Sequence, residues 1–145
     1  MAESLARVRS MIADKVDSIS GFKESRMTPD FFGRTQESIA HKAFVVGIAS
    51  TVAAEERQRR SVGEYVNSQV VITFAHRLRP LDAYPTDYDN ALTAEQLVLN
   101  AALESYTSDS GNGKFTIRYT ASTRTVTDSQ EYIIITLTFS VLHTL

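Results

Sequence analysis

The sequence has no cysteine, which removes disulfides, thiolate metal sites and cysteine nucleophiles together. The fold must hold by packing alone. No apolar run approaches the roughly 20 residues that cross a bilayer as a helix. The N-terminal residues lack a signal-peptide core, and Glu3, Asp14 and Asp17 argue against an acid-poor transit peptide. A soluble, unexported chain with no membrane partner is expected. Neither sign of charge dominates: the net charge of -2 and pI near 5.9 give no bulk attraction to nucleic acid or anionic lipid. Catalytic signatures are equally scarce. No serine sits in a G-x-S-x-G elbow, and SDSGNGK from Ser108 to Lys114 lacks both the GK[ST] ending and the preceding strand of a phosphate loop.

What remains is an ordinary globular composition, 43% hydrophobic and 22% charged over 145 residues. A chain of this length buries roughly two thirds of its unfolded surface, enough for a real core, and the sequence is read as one domain over 1–145. Its organising stretch runs from Val66 to Leu103. Val66, Val70, Ile72, Phe74 and Leu78 share one face of an extended chain with period two. After Pro80 the spacing turns helical, with Tyr88, Leu92, Leu99, Leu103 and Tyr106 on one stripe. Thr86 or Asp87 is the expected cap of this helix, whose positive end the nearby acids favour.

The other segments supply partners. Leu5, Val8, Ile12, Val16 and Ile19 predict an N-terminal helix over 1–20 that ends near Ser20-Gly21, where glycine takes a left-handed cap. A polar connection over 21–38 follows, with Phe31 and Phe32 as an exposed or core-tucked pair. His41 to Ala54 reads as a strand, and the charged run Glu55 to Gly63 as the tip of a hairpin to the strand resuming at Tyr65. Two further strands are expected, over Phe115 to Ala121 and from Glu131 onward, joined by a polar link from Ser122 to Gln130. The expected fold class is α+β, in the order α-β-β-α-β-β. Residues 39–145 form a mainly antiparallel four-stranded sheet and the central helix, and both helices pack on one face.

The two faces of that sheet differ. One collects Phe44, Val46, Ile48, Val70, Ile72, Phe74, Phe115, Ile117, Ile133, Ile135, Leu137 and Phe139, the surface for the helices to cover. The other collects Ala43, Val45, Gly47, Ala49, Val71, Thr73, Ala75, Thr136, Thr138 and Ser140. Small uncharged residues there suit a face that meets other protein, because a charge would lose hydration without a partner. A threonine-rich solvated face is the simpler alternative. Arg57, Arg59 and Arg60 at the hairpin tip, and Arg77 and Arg79 after the second strand, are candidate contacts, since guanidinium pairs directionally with oxyanions. His41, His76 and His143 lie on three strands, but no carboxylate stands at ligand spacing, so no metal or other cofactor is expected. Asp82, Asp87 and Asp89 lack the glycine and terminal glutamate of a calcium loop.

The segment VVITFAHRLRPLDAYPTDYDNALTAEQLVLNAAL, a Gly-rich turn and the closing EYIIITLTFSVLHTL together resemble the tail terminator proteins of long-tailed bacteriophages and phage-like particles, a head-tail joining family. The resemblance rests on the strand ending His76-Arg77-Leu78-Arg79-Pro80, on Asp87-Tyr88-Asp89 with Ala91 and Glu95, and on Phe139-Ser140-Val141. It covers roughly the last 80 residues. It implies a non-enzymatic virion protein of the tail-neck region, assembled in the host bacterial cytoplasm. Such proteins form a ring, typically a hexamer, that caps the tail tube, stops its polymerisation and meets a head-side connector or stopper, with DNA passing through the lumen. Another head-tail joining or neck protein, or a small binding module using the open sheet face, is the alternative.

Overall fold

The computed structural model describes residues 5–25, 40–53, 65–78, 84–104, 115–127 and 131–144. Helix α1 (Leu5–Asp17) is followed by strands β1 (Lys23–Glu24), β2 (Ala43–Ala53) and β3 (Tyr65–Arg77), helix α2 (Tyr84–Glu104), and strands β4 (Phe115–Val126) and β5 (Tyr132–Thr144). The sheet order is β1-β2-β3-β5-β4. β2, β3, β5 and β4 run antiparallel to their neighbours, while β1 joins the edge of β2 in parallel.

The expected α+β order holds, but the sheet has five strands and is mixed. The extra strand falls in the segment expected to be a plain connection. Gly21, with φ of 88°, turns the chain out of α1 in the left-handed region as anticipated. Phe22 then drops into the core at 6% exposure, edge-on to Phe74 at 5.3 Å. This anchor lays the next residues along β2, where Lys23 N–H donates to the Lys42 carbonyl and Ser25 N–H to that of Phe44. Arg9 of α1 pins the same edge through Glu24 at 2.7 Å.

Period-two alternation explains the core. Phe44, Val70, Ile72, Phe74, Ile135, Leu137 and Phe139 are fully buried, and they pack with Val8, Ile12 and Val16 of α1 and with Ala91, Val98 and Ala102 of α2. Each such aliphatic or aromatic burial contributes about 1.5–3 kcal/mol before conformational entropy is counted. The deepest line of α2 is made of small residues, and the larger Tyr88, Leu99 and Leu103 flank it half-buried. Alanines let the helix axis approach the sheet. The helix begins at Tyr84, so Thr86 and Asp87 lie inside its first turn instead of capping it.

Strand β4 extends to Val126 and takes in residues expected to be a link. A register shift after Tyr119 explains why alternation misread it: Tyr119 pairs with Phe139 and Ala121 with Thr138, leaving Thr120 as the extra residue. Beyond that bulge Ser122, Arg124 and Val126 take the helix-side positions, and Ala121 moves to the opposite face. A second irregularity in β2, between Ile48 and Ser50, does the same around Ala49.

Candidate protein-interaction face

The register of the four long strands sets out the helix-free face row by row. Val45, Thr73, Thr136 and Thr123 form one row, and Gly47, Val71, Thr138 and Ala121 the next. Thr73, Thr136 and Thr138 thus converge at the centre of the face, each half-buried among small neighbours. The Thr73 and Thr136 hydroxyls are turned toward each other, 3.4 Å apart. In the next row outward, Ser50, Gln69, Ser140 and Arg118 align, and Ser50 Oγ donates to Gln69 Oε1 at 3.3 Å. Among the described residues the centre of the face carries no charge, and Arg118 stands at this margin. At the other end Val45 and Ala75 are buried, with Ala43, Tyr132 and Ile134 packed around them. The face therefore has an apolar end, an uncharged threonine centre, and a polar end.

Arg77 lies exposed at the apolar end, opposite Tyr132. Arg57, Arg59, Arg60, Arg79, Phe31 and Phe32 lie outside the described residues. The three histidines do not converge. His41 and His76 stack edge-on with ring centroids 4.6 Å apart, whereas His143 is buried at the far end of β5, its Nε2 2.8 Å from the Ser68 hydroxyl. Ser68 in turn meets Thr51 at 3.0 Å, so three strands are joined by one polar chain that runs from buried His143 out to exposed Thr51. Among the described residues no three His, Cys, Asp or Glu side chains are placed to hold a metal, and no helix is long and apolar enough to cross a membrane.

Sequence reasoning missed the strongest polar contact. Glu95 of α2, 6% exposed, receives Arg124 Nε on Oε1 and Nη2 on Oε2, both at 2.7 Å. Ser122 Oγ donates to the same carboxylate at 2.9 Å, and the Tyr119 hydroxyl lies 2.8 Å from Ser122. The hydrogen bonds that Arg124 donates to Glu95, with the carboxylate's charge, push the guanidinium still higher than its ordinary pKa. A glutamate inside the apolar stripe of α2 was the available signal. Its partner was hidden because simple alternation puts Arg124 on the wrong face.

No protein-family profile matches the sequence, and neither does any curated protein. Among solved structures, the chain is similar to one in the "Virion of native gene transfer agent (GTA) particle", with a TM-score of 0.52, 11% identity and 94% of each chain covered. At that identity the likeness shows a shared fold.

Proposed function

We propose, from the fold shared over 94% of both chains with a protein of a gene transfer agent virion, that this chain is a structural protein of a phage-like virion and no enzyme. In the finer form of this reading it is a tail terminator. Copies assemble head to tail into a ring, typically a hexamer, that caps the tail tube, ends tube polymerisation and offers its other side to a head connector or stopper protein. DNA passes through the lumen, and the protein resides at the tail neck after assembly in the host bacterial cytoplasm. Three features support it: the resemblance of roughly the last 80 residues, the uncharged centre of the helix-free face, and the outer edge of β4. That edge has no strand beside it among the described residues, and unpaired backbone groups there favour association.

A head-to-tail ring requires each subunit to carry both halves of its own interface. Arg57, Arg59, Arg60, Arg79, Phe31 and Phe32, with Arg77, Thr73, Thr136 and Thr138, are the proposed contact residues. The test combines light scattering of the purified chain with electron microscopy of tail tubes grown with and without it. A ring-sized particle, free or on tube ends, together with tubes of fixed length is the expected result. A monomer that leaves tube length unaltered would overturn the reading. Charge reversal at Arg57, Arg59 and Arg60 should abolish capping if the hairpin tip contributes.

A further inference from the structure

At one end of the sheet an open cleft of about 560 Å³ lies between the start of β2, the end of β3 and the N-terminal half of α2. His41, Lys42, His76 and Arg77 line its sheet side, and Asn90 and Leu97 its helix side. Hydrogen bonds fix where the ring protons are. Arg77 N–H donates to His41 Nδ1 at 3.1 Å, so that nitrogen is bare and the neutral ring carries its proton on Nε2. The Arg77 carbonyl can only accept, so His76 Nδ1, 3.0 Å away, is the protonated one. Burial lowers the pKa of both rings, and His76, Lys42 and Arg77 lower that of His41 further.

Lys42 is held in an unusual way. Its φ of 61° lies in the left-handed region, which a residue with a Cβ occupies only when its surroundings impose it. Its N–H donates to the Ala75 carbonyl at 2.7 Å and its own carbonyl accepts from Lys23. The side chain is thereby folded back over the Phe22 ring, 5.7 Å from its centroid. Among the described residues neither the Lys42 ammonium nor the Arg77 guanidinium has an ion-pair partner. The carboxylate in the cleft, Asp87, is 6% exposed and engaged in interactions of its own. Positive charge is thus left over in a protein whose net charge is -2. Beside it Leu97 is 48% exposed, an apolar shoulder next to a cationic floor.

We propose that this cleft binds an acidic segment of a partner protein, whose carboxylate is received by Arg77 and Lys42 with the Nε2–H of His41 donating, and whose neighbouring apolar side chain rests on Leu97. A free phosphate would fill only a small part of the volume and would leave the apolar shoulder unused, whereas a few residues of peptide suit a pocket of this size. Paired charge-assisted bonds to Arg supply the directionality. The inference does not depend on the ring, because a monomer presents the same cleft.

The test is a nuclear magnetic resonance titration of the nitrogen-15-labelled full chain with the capped peptide acetyl-Leu-Glu-Glu-Leu-amide, followed at the ring nitrogens of His41 and His76. Its glutamine counterpart and inorganic phosphate are titrated in parallel. Saturable shifts at both rings are expected, weakened about tenfold or more by Arg77→Ala and by the glutamine peptide, and unchanged by Arg118→Ala on the helix-free face. Arg77 has an exposed side chain, so the Arg77→Ala variant should retain its amide spectrum. Equal shifts with the glutamine peptide, or the absence of saturable shifts, would overturn the proposal. So would phosphate binding as tightly as the glutamate peptide, which would mark a free-anion site.

Discussion

The two faces of the sheet are made by the same strands, residue by residue, yet do different work. On one side Phe74, Ile135, Leu137 and Phe139 are fully buried under two helices. On the other, the residues between them, Thr73, Thr136 and Thr138, stay half-buried with no helix above among the described residues. Stability therefore resides in one set of side chains, and it is the alternate set that the proposed function assigns to association. A strand can serve both needs because its side-chain period is two.

The sharpest way to break this comparison is on the covered side. Phe139→Ala should cost about 3–5 kcal/mol, because the closely packed surroundings refill such a cavity only in part. The urea midpoint would report the loss with little change in slope. Next comes the polar clamp between helix and edge strand. Glu95→Ala should cost about 2 kcal/mol, since three donors lose a charged acceptor, and Arg124, being part-exposed, recovers some hydration. Ser122→Ala should cost less than Glu95→Ala in the same denaturation assay.

A third test lies at the cleft. His41 and His76 both have folded pKa values below the ordinary 6.5. The unfolded chain thus takes up protons first on acidification, so stability falls as pH drops below 6.5 and levels off once the folded rings also titrate. Lys42 and Arg77 facing the pair strengthen the effect for His41, and Asp87 opposes it. Replacing both histidines with glutamine should flatten urea midpoints measured from pH 7.5 to 5.5, a range spanning the ordinary histidine value. The smallest effect is expected on the open side. Thr136→Lys with Thr138→Lys should alter monomer stability by about 0.5 kcal/mol or less, while abolishing any higher-mass species seen by light scattering. Loss of fold in that variant, or unaltered assembly, would remove the division of labour between the faces.

Much of this was legible in the sequence where the period was unbroken. The alternation from Val66 to Leu78 and from Ile133 to Phe139 located β3, β5 and most of the core. The stripe of α1 and the left-handed turn at Gly21 were equally plain. What escaped notice depended on partners distant in sequence. β1 is only two residues long and exists because Phe22 is anchored, which no local pattern encodes. The inner line of α2 is mostly alanine, with Val98, so the larger leucines beside it point to the flanks. At the candidate face, Thr73, Thr136 and Thr138 were placed together correctly. The His41–His76 pair was not, because the bond from Arg77 N–H to His41 joins residues 36 apart in the chain.

The bulge in β4 makes this strand two half-strands of opposite phase joined at Thr120. Removing or inserting one residue elsewhere in either half would turn some side chains inside out. Removing Thr120 would straighten the strand while leaving Tyr119 with Phe139, Ala121 with Thr138 and Arg124 beside Glu95. Thr120 is thus a spacer whose presence, more than its chemistry, has to be counted whenever this chain is laid against another.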